Sequence, residues 1–299
     1  MAMVIALNGK LVPDKEAFVS VFDHGFLYGM GLFETFRTYG GKPFLLAAHL
    51  RRMEGACQEI GLDYVPDEAR INRLVGDLLA ANGLTDAYFR LSVSAGEDAL
   101  GLSDHPYTRP TEVLYVKPLP SRNAELYRSG RWLQLLRLGR NTPEGSCRFK
   151  SFHYMNPILG KRELTRYPWA RGAEGLFLDR NGFVAEGLVS NIFWVSGGEL
   201  LTPSLDTGIL PGITREWVLE TCRREGMEVR EGRFPLQSLL TADEAFLTNS
   251  IQEIVPVSGL YDPEGNSYPI GRETPGKVTN RLMAIYSTAA GKREHDGIL

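Results

Sequence analysis

The stretch RFKSFHYMNP, Arg148 to Pro157, sets Lys150 among aromatic residues. Two readings of that lysine compete. A surface charge can rest its stem on Phe149 and Phe152. A lysine whose surroundings disfavour the ammonium can instead serve as a nucleophile or a base. Four other stretches bear on the choice. In FVAEGLVSNIFWV, Glu186 ends an apolar strand run, where a carboxylate is costly unless it meets a positive partner. LPGITREW places a proline–glycine turn at a helix start, so Ile213 and Thr214 present backbone N–H groups to an anion, as nearly every helix start does. LTNSIQE ends a strand with Asn249 and Ser250, small donors that suit an anion cradle or an ordinary strand-end turn. HLRRM sets Arg51 and Arg52 on one helix. Either can grip a phosphate bidentately if it turns inward, or do nothing on a solvated face.

The elements that must position these residues follow from periodicity. Asn8-Gly9 and Gly40-Gly41 mark hairpin turns between the apolar runs MVIAL, LVP, LFETFRTY and KPFLL. Leu46, Leu50, Met53, Cys57 and Ile60 recur at helical spacing, and so do Ile71, Leu74, Val75, Leu78 and Leu79. Strands at AYFRLSVSAG and TEVLYVKPLP close one α+β domain over residues 1–120. A charged segment, SRNAELYRSG, reads as a linker over 121–130. The second domain, 131–299, carries strands at RWLQLLRLG, AEGLFLD, FVAEG, NIFWV, ELLTP, MEVREGRF, EAFLTNS and EIVPVSGL. It also holds a helix from Gly212 to the basic pair before Gly226, then a last helix at KVTNRLMAIYSTA. The tail GKREHDGIL reads as solvated.

Composition narrows the class. The 299 residues are 43% hydrophobic, enough for two ordinary cores. A net charge of -3 with no basic stripe argues against nucleic acid as a partner. The N-terminal MAMVIALNGKLV lacks a basic n-region and reads as a strand, and no apolar run reaches the length of a membrane span. Three widely spaced cysteines, Cys57, Cys147 and Cys222, suit packed thiols in a reducing cytoplasm.

Several motifs fail on inspection. GRETPGKV, from Gly271, fits GxxxxGK, but Val278 stands where a Ser or Thr would hold magnesium. Gly29-Met30-Gly31 begins a GxGxxG that breaks at Glu34. The five histidines never fall at metal-ligand spacing, so no metal is expected. His24 and His49 read as hydrogen-bonded groups near the core. No GxSxG elbow marks a serine hydrolase.

In order and spacing, the remaining stretches resemble the fold-type IV enzymes of pyridoxal phosphate, the class IV aminotransferase family. They are DHGFLYGMGLFETFR, HLRRM, the lysine of FKSFHYMN, EGLFLDRNGFVAEGLVSNIFWV, GELLTPSLDTGILPGITR and ADEAFLTNSIQEIVPV. The resemblance spans nearly the whole chain. It implies an α+β fold of two domains, a smaller N-terminal one and a larger C-terminal one with a mixed sheet that binds pyridoxal 5'-phosphate. It also implies a homodimer acting on a small molecule. Lys150 would bond covalently to the cofactor, and Glu186 would pair with the pyridine nitrogen. Arg52, the backbone of Ile213 and Thr214, Ser250 and Asn249 would bind the phosphate. Tyr28, Thr35 and Arg90 would contact the substrate.

The family holds branched-chain aminotransferase, D-amino-acid aminotransferase and 4-amino-4-deoxychorismate lyase. The D-amino-acid enzymes carry an Arg-x-His carboxylate trap. The matching loop here, AGEDALGLSDHPYTRP, has His105 and Arg109 but no such pair. Branched-chain enzymes usually read FEG where this chain has Phe33-Glu34-Thr35, yet they share a Tyr-x-Arg like Tyr88-Phe89-Arg90. Thr35 narrows the pocket and adds a hydroxyl, which looks more like the lyases. Many members have Asn where His153 stands here. The resemblance therefore implies a lyase that eliminates pyruvate to give 4-aminobenzoate, with an aminotransferase as the alternative.

Overall fold

A computed structural model describes residues 3–291, so residues 292–299 of the tail lie outside it. The chain divides into two compact units. The first runs to Ser121 and takes in Phe149–His153; the second comprises Arg122–Arg148 and the chain from Tyr154.

The first unit opens with the hairpin that Asn8-Gly9 predicts. Val4–Leu7 (β1) pairs with Lys10–Pro13 (β2), and the two turn residues take φ of 48° and 77°. A short helix, His24–Tyr28 (α1), is capped by Asp23, whose carboxylate accepts from the Gly25 N–H at 2.7 Å. There follow Gly31–Tyr39 (β3), Lys42–Pro43 (β4), the helices Leu46–Glu59 (α2) and Glu68–Asn82 (α3), then Ala87–Ser94 (β5) and Thr111–Pro118 (β6). The strands form an antiparallel sheet in the order β2-β1-β6-β5-β3-β4.

Alternation decides which face of that sheet is covered. Leu32 and Phe36 of β3, with Phe89 and Leu91 of β5, share a core with Leu50 and Met53 of α2 and Ile71 and Leu78 of α3. Burying each such side chain is worth about 1.5–3 kcal/mol, so the helical stripes fix which way both helices face. The opposite residues of the same strands, Phe33, Thr35 and Arg90, are left to the other face.

The segment carrying Lys150 belongs to this unit. Ser151 bridges Leu32, the Phe33 N–H donates to the Lys150 carbonyl at 2.8 Å, and the Phe152 N–H donates to the Gly31 carbonyl at 2.9 Å. A Cβ on Gly31 would lie 2.3 Å from the Phe152 ring. The glycine of GMG therefore serves close packing, not a phosphate loop.

The second unit begins earlier than the expected linker allows. Residues Ala124–Ser129 form a helix (α4), capped by Asn123, and its Tyr127 packs into the second unit's core. Arg131–Leu135 (β7) follows, then Met155–Leu164 (α5), Glu174–Leu178 (β8), Val184–Gly187 (β9), Asn191–Ser196 (β10) and Glu199–Pro203 (β11). The chain continues through Ile213–Arg224 (α6), Val229–Gly232 (β12), Leu236–Leu240 (α7), Glu244–Asn249 (β13), Glu253–Tyr261 (β14), Ser267–Pro269 (β15) and Lys277–Ala289 (α8). The sheet is mixed, in the order β12-β11-β10-β13-β14-β7-β8-β9, with β15 on β14. Pairs β11/β12, β14/β7 and β7/β8 are parallel.

The GRETPGKV motif starts α8. Glu244 accepts from the N–H groups of Val278 at 3.0 Å and Thr279 at 2.7 Å. That helix start already holds an internal anion, which accounts for the failed phosphate-loop pattern.

Candidate active site

In the first unit, β3 presents different chemistry on its two faces. Outward, the Lys150 Nζ lies 4.6 Å from the centre of the Phe33 ring, and the Arg90 guanidinium lies 3.6 Å from the same centre. Both distances are within the range of cation–π attraction. Arg90 Nε also donates to Ser92 Oγ at 3.0 Å, and Thr35 pairs with Arg90 across the β3/β5 ladder. An amine and a guanidinium are thus gathered around one aromatic ring.

Inward, Glu34 stands on the apolar face and is 1% exposed. Its carboxylate accepts from Arg52 Nε at 2.7 Å, Arg52 Nη2 at 2.6 Å and His49 Nδ1 at 2.6 Å. Burial pushes the Glu34 carboxyl up, but Arg52 and His49 outweigh it and hold the group down to about 2. Burial holds His49 below the ordinary histidine range; Glu34 opposes that shift, while Arg52 and Lys150 add to it. Of the two arginines in HLRRM, Arg51 is exposed and Arg52 turns inward.

Tyr28 and the loop after β5 form a separate cluster. The Tyr28 hydroxyl accepts from the Gly101 N–H at 2.9 Å. The buried His24 ring meets the Tyr107 hydroxyl at 2.9 Å and the Ala99 carbonyl at 2.8 Å. Tyr28, which the resemblance places at the substrate, is thereby tied to this loop and keeps an exposed ring. His105 is exposed and faces Asp98 at 3.6 Å.

In the second unit, Glu186 on β9 is buried. Oε1 accepts from Arg140 Nε at 2.8 Å, and Oε2 accepts from the Leu210 N–H at 3.0 Å and Asn191 Nδ2 at 3.3 Å. Arg148 stands 3.9 Å from the same carboxylate. Burial pulls the Arg148 guanidinium down to about 10, with Arg140 adding to the shift and Glu186 opposing it. Asn191 also donates to the Leu210 carbonyl at 2.9 Å. A single amide therefore joins the carboxylate to the segment that leads into α6.

The start of α6 fits an external anion. Gly212 is its N-cap, with no side-chain cap, and a Cβ there would fall 2.0 Å from Asn191 Oδ1. The Thr214 hydroxyl in the first turn is buried and has no hydrogen-bond partner among the described residues, and the Thr248 hydroxyl on β13 is in the same state. Buried hydroxyls of this kind are rare without a ligand or water to satisfy them. Asn249 closes the strand-end turn: its Oδ1 accepts from the Ile251 N–H at 3.0 Å and the Gln252 N–H at 2.7 Å, and its Nδ2 faces Gln252 Oε1 at 3.4 Å. Ser250 follows in that turn.

Sequence reasoning missed Glu34, Arg140 and Asn191. Only Glu34 left a signal: a carboxylate on the apolar phase of LFETF needs a cation, and HLRRM supplies one on a helix. Among the described residues no cluster fit to hold a metal ion occurs.

The first unit holds a lysine on an aromatic ring, and the second has a buried carboxylate held by arginine and a helix start with an unsatisfied hydroxyl; these are donor types that one class of enzyme needs. Their donor set fits pyridoxal phosphate, whose aldehyde, ring nitrogen and phosphate need an amine, an acid partner and an anion cradle. The chain belongs to the amino-transferase class IV family, whose family model matches residues 31–260. It is 40% identical over 295 residues to the aminodeoxychorismate lyase of Bacillus subtilis (strain 168), covering 98% of this chain and 97% of that one. It is 37% identical over 280 residues to a putative branched-chain-amino-acid aminotransferase of Methanocaldococcus jannaschii, covering 94% of each. The crystal structure of the T.th. branched-chain amino acid aminotransferase with pyridoxamine 5'-phosphate matches with a TM-score of 0.85 at 29% identity, covering 98% of this chain and 96% of that one.

Proposed function

We propose that this chain is a pyridoxal-phosphate-dependent aminodeoxychorismate lyase. It splits 4-amino-4-deoxychorismate into pyruvate and 4-aminobenzoate, a step of folate synthesis. Lys150 is the covalent anchor for the cofactor and Glu186 the partner of its ring nitrogen. Arg52, the Ile213 and Thr214 N–H groups and Ser250 hold the phosphate. When bound, the cofactor withdraws the electron pair left as a proton leaves the substrate carbon.

This chain's residues supply the remaining steps. Lys150 takes that proton and becomes an ammonium, which the face of the Phe33 ring stabilises. As the carbon–oxygen bond breaks, Lys150 returns a proton to the departing enolpyruvate oxygen. Arg90 binds a substrate carboxylate, and Thr35 borders it. Arg140 and Asn191 hold Glu186 in place throughout.

The observation that carries the reading is the Phe33 ring, which seats the proton carrier and a carboxylate-binding cation together. Near-full-length similarity to a lyase supports the choice of reaction. The 37% identity to a putative branched-chain aminotransferase keeps transamination as the second reading. Dependence on a keto acid separates them. A lyase forms 4-aminobenzoate with no keto acid present and is not accelerated by 2-oxoglutarate. Turnover of L-leucine that requires 2-oxoglutarate, with none on aminodeoxychorismate, refutes the lyase.

The same reading includes a cytoplasmic homodimer. Free thiols at Cys57, Cys147 and Cys222 suit a reducing compartment. The apolar side chains of Phe18, Val21, Phe22 and Phe26 stand exposed within one short stretch, as a subunit contact requires. No helix among the described residues is long and apolar enough to cross a membrane.

A further inference from the structure

We propose that Glu34 and His49 are positioning residues for the cofactor's phosphate, acting through Arg52. The inference rests on the reading of Arg52 as a phosphate ligand. It begins with the phase of β3. Leu32, Glu34 and Phe36 share the face that packs against α2, and both apolar neighbours are fully enclosed. A carboxylate gains nothing there by itself, because burial disfavours its charge. An apolar residue of similar volume would fill the site without a partner, and buried ion pairs are often no more stabilising than such a replacement.

What the carboxylate does accomplish is geometric. It binds Arg52 by two parallel donors, Nε at 2.7 Å and Nη2 at 2.6 Å. A guanidinium is planar with five donors in a rigid fork, so two such bonds fix the plane in which the other three lie. His49 completes the arrangement. It lies one helical turn before Arg52 on α2, donates from Nδ1 to Glu34 Oε2 at 2.6 Å, and packs its ring 5.9 Å from that of Phe36. The strand, through Glu34, and the helix, through His49, thus set the arginine before any anion arrives. The negative charge of Glu34 offsets that of Arg52, so the gain lies in orientation rather than in added positive charge.

The test separates positioning from mere structure by comparing two ligands. The cofactor is removed from wild type, Arg52→Ala, Glu34→Gln and His49→Gln. Dissociation constants are then measured by absorbance for pyridoxal phosphate and for pyridoxal, which lacks the phosphate, alongside thermal melting. The ratio of the two constants reports what the phosphate contributes. In Arg52→Ala that ratio collapses. In Glu34→Gln it falls by about tenfold, the scale on which groups behind a ligand usually act, while pyridoxal affinity stays within a factor of two. His49→Gln shifts the ratio the same way by less. A folded Glu34→Gln with lowered melting temperature but the wild-type ratio overturns the proposal. If Glu34→Gln does not fold, an unchanged ratio in His49→Gln overturns it instead. An unchanged ratio in Arg52→Ala shows that the underlying reading of Arg52 has failed.

Discussion

Glu186 carries the electronic demand of the proposed chemistry on a single carboxylate with four groups around it. Replacing it by glutamine removes the negative charge and turns one acceptor into a donor that faces Arg140 or Asn191. The Glu186→Gln enzyme is expected to retain its cofactor, measured by absorbance, and to lose roughly a hundredfold or more in kcat, as removal of one preorganised electrostatic partner does. Wild-type turnover in a cofactor-loaded variant would refute the role. At this scale the sequence was informative where a residue type clashed with its surroundings. Lys150 among aromatics and Glu186 in an apolar run both announced themselves. Arg140 did not, because an arginine in the polar stretch GRNTPEG looks like any solvated cation until the fold brings Glu186 to it.

The β3–α2 contact and the start of α6 each have a measurable consequence. The Glu34 carboxyl ordinarily titrates near 4.5 and is held at about 2 in the folded chain. Its ionised form therefore stabilises the fold fully above pH 4.5, and that stability drains away as the pH falls toward 2. The shift corresponds to roughly 3 kcal/mol. Melting temperatures of wild type and Glu34→Gln are expected to differ at neutral pH and to converge between pH 4.5 and 2; a constant gap would contradict the assignment. At α6, Gly212→Ala places a Cβ against Asn191 Oδ1. Because Asn191 also holds Glu186, cofactor affinity is expected to fall by about ten- to a hundredfold. An unchanged affinity, measured by absorbance titration, would show that the close approach is dispensable. Helical and alternating patterns made most of these elements legible. The segment SRNAELYRSG misled because its charges mask one buried tyrosine, Tyr127, which docks α4 on the second unit.

At the scale of the whole chain, two units and an α+β architecture follow from length and pattern. The return of Phe149–His153 to the first unit does not. That pairing joins β3 to a segment distant in sequence, and nothing local encodes it. It is nonetheless what sets Lys150 on Phe33, so the proposed chemistry depends on a long-range contact as much as on a motif. The most direct measurement supplies 4-amino-4-deoxychorismate to the cofactor-loaded protein without keto acid. Pyruvate is followed through lactate dehydrogenase and 4-aminobenzoate by chromatography, in wild type and Lys150→Ala. Equal release of the two products is expected from wild type and none from Lys150→Ala. No release from a cofactor-loaded wild type, or equal release from Lys150→Ala, would contradict the proposed chemistry.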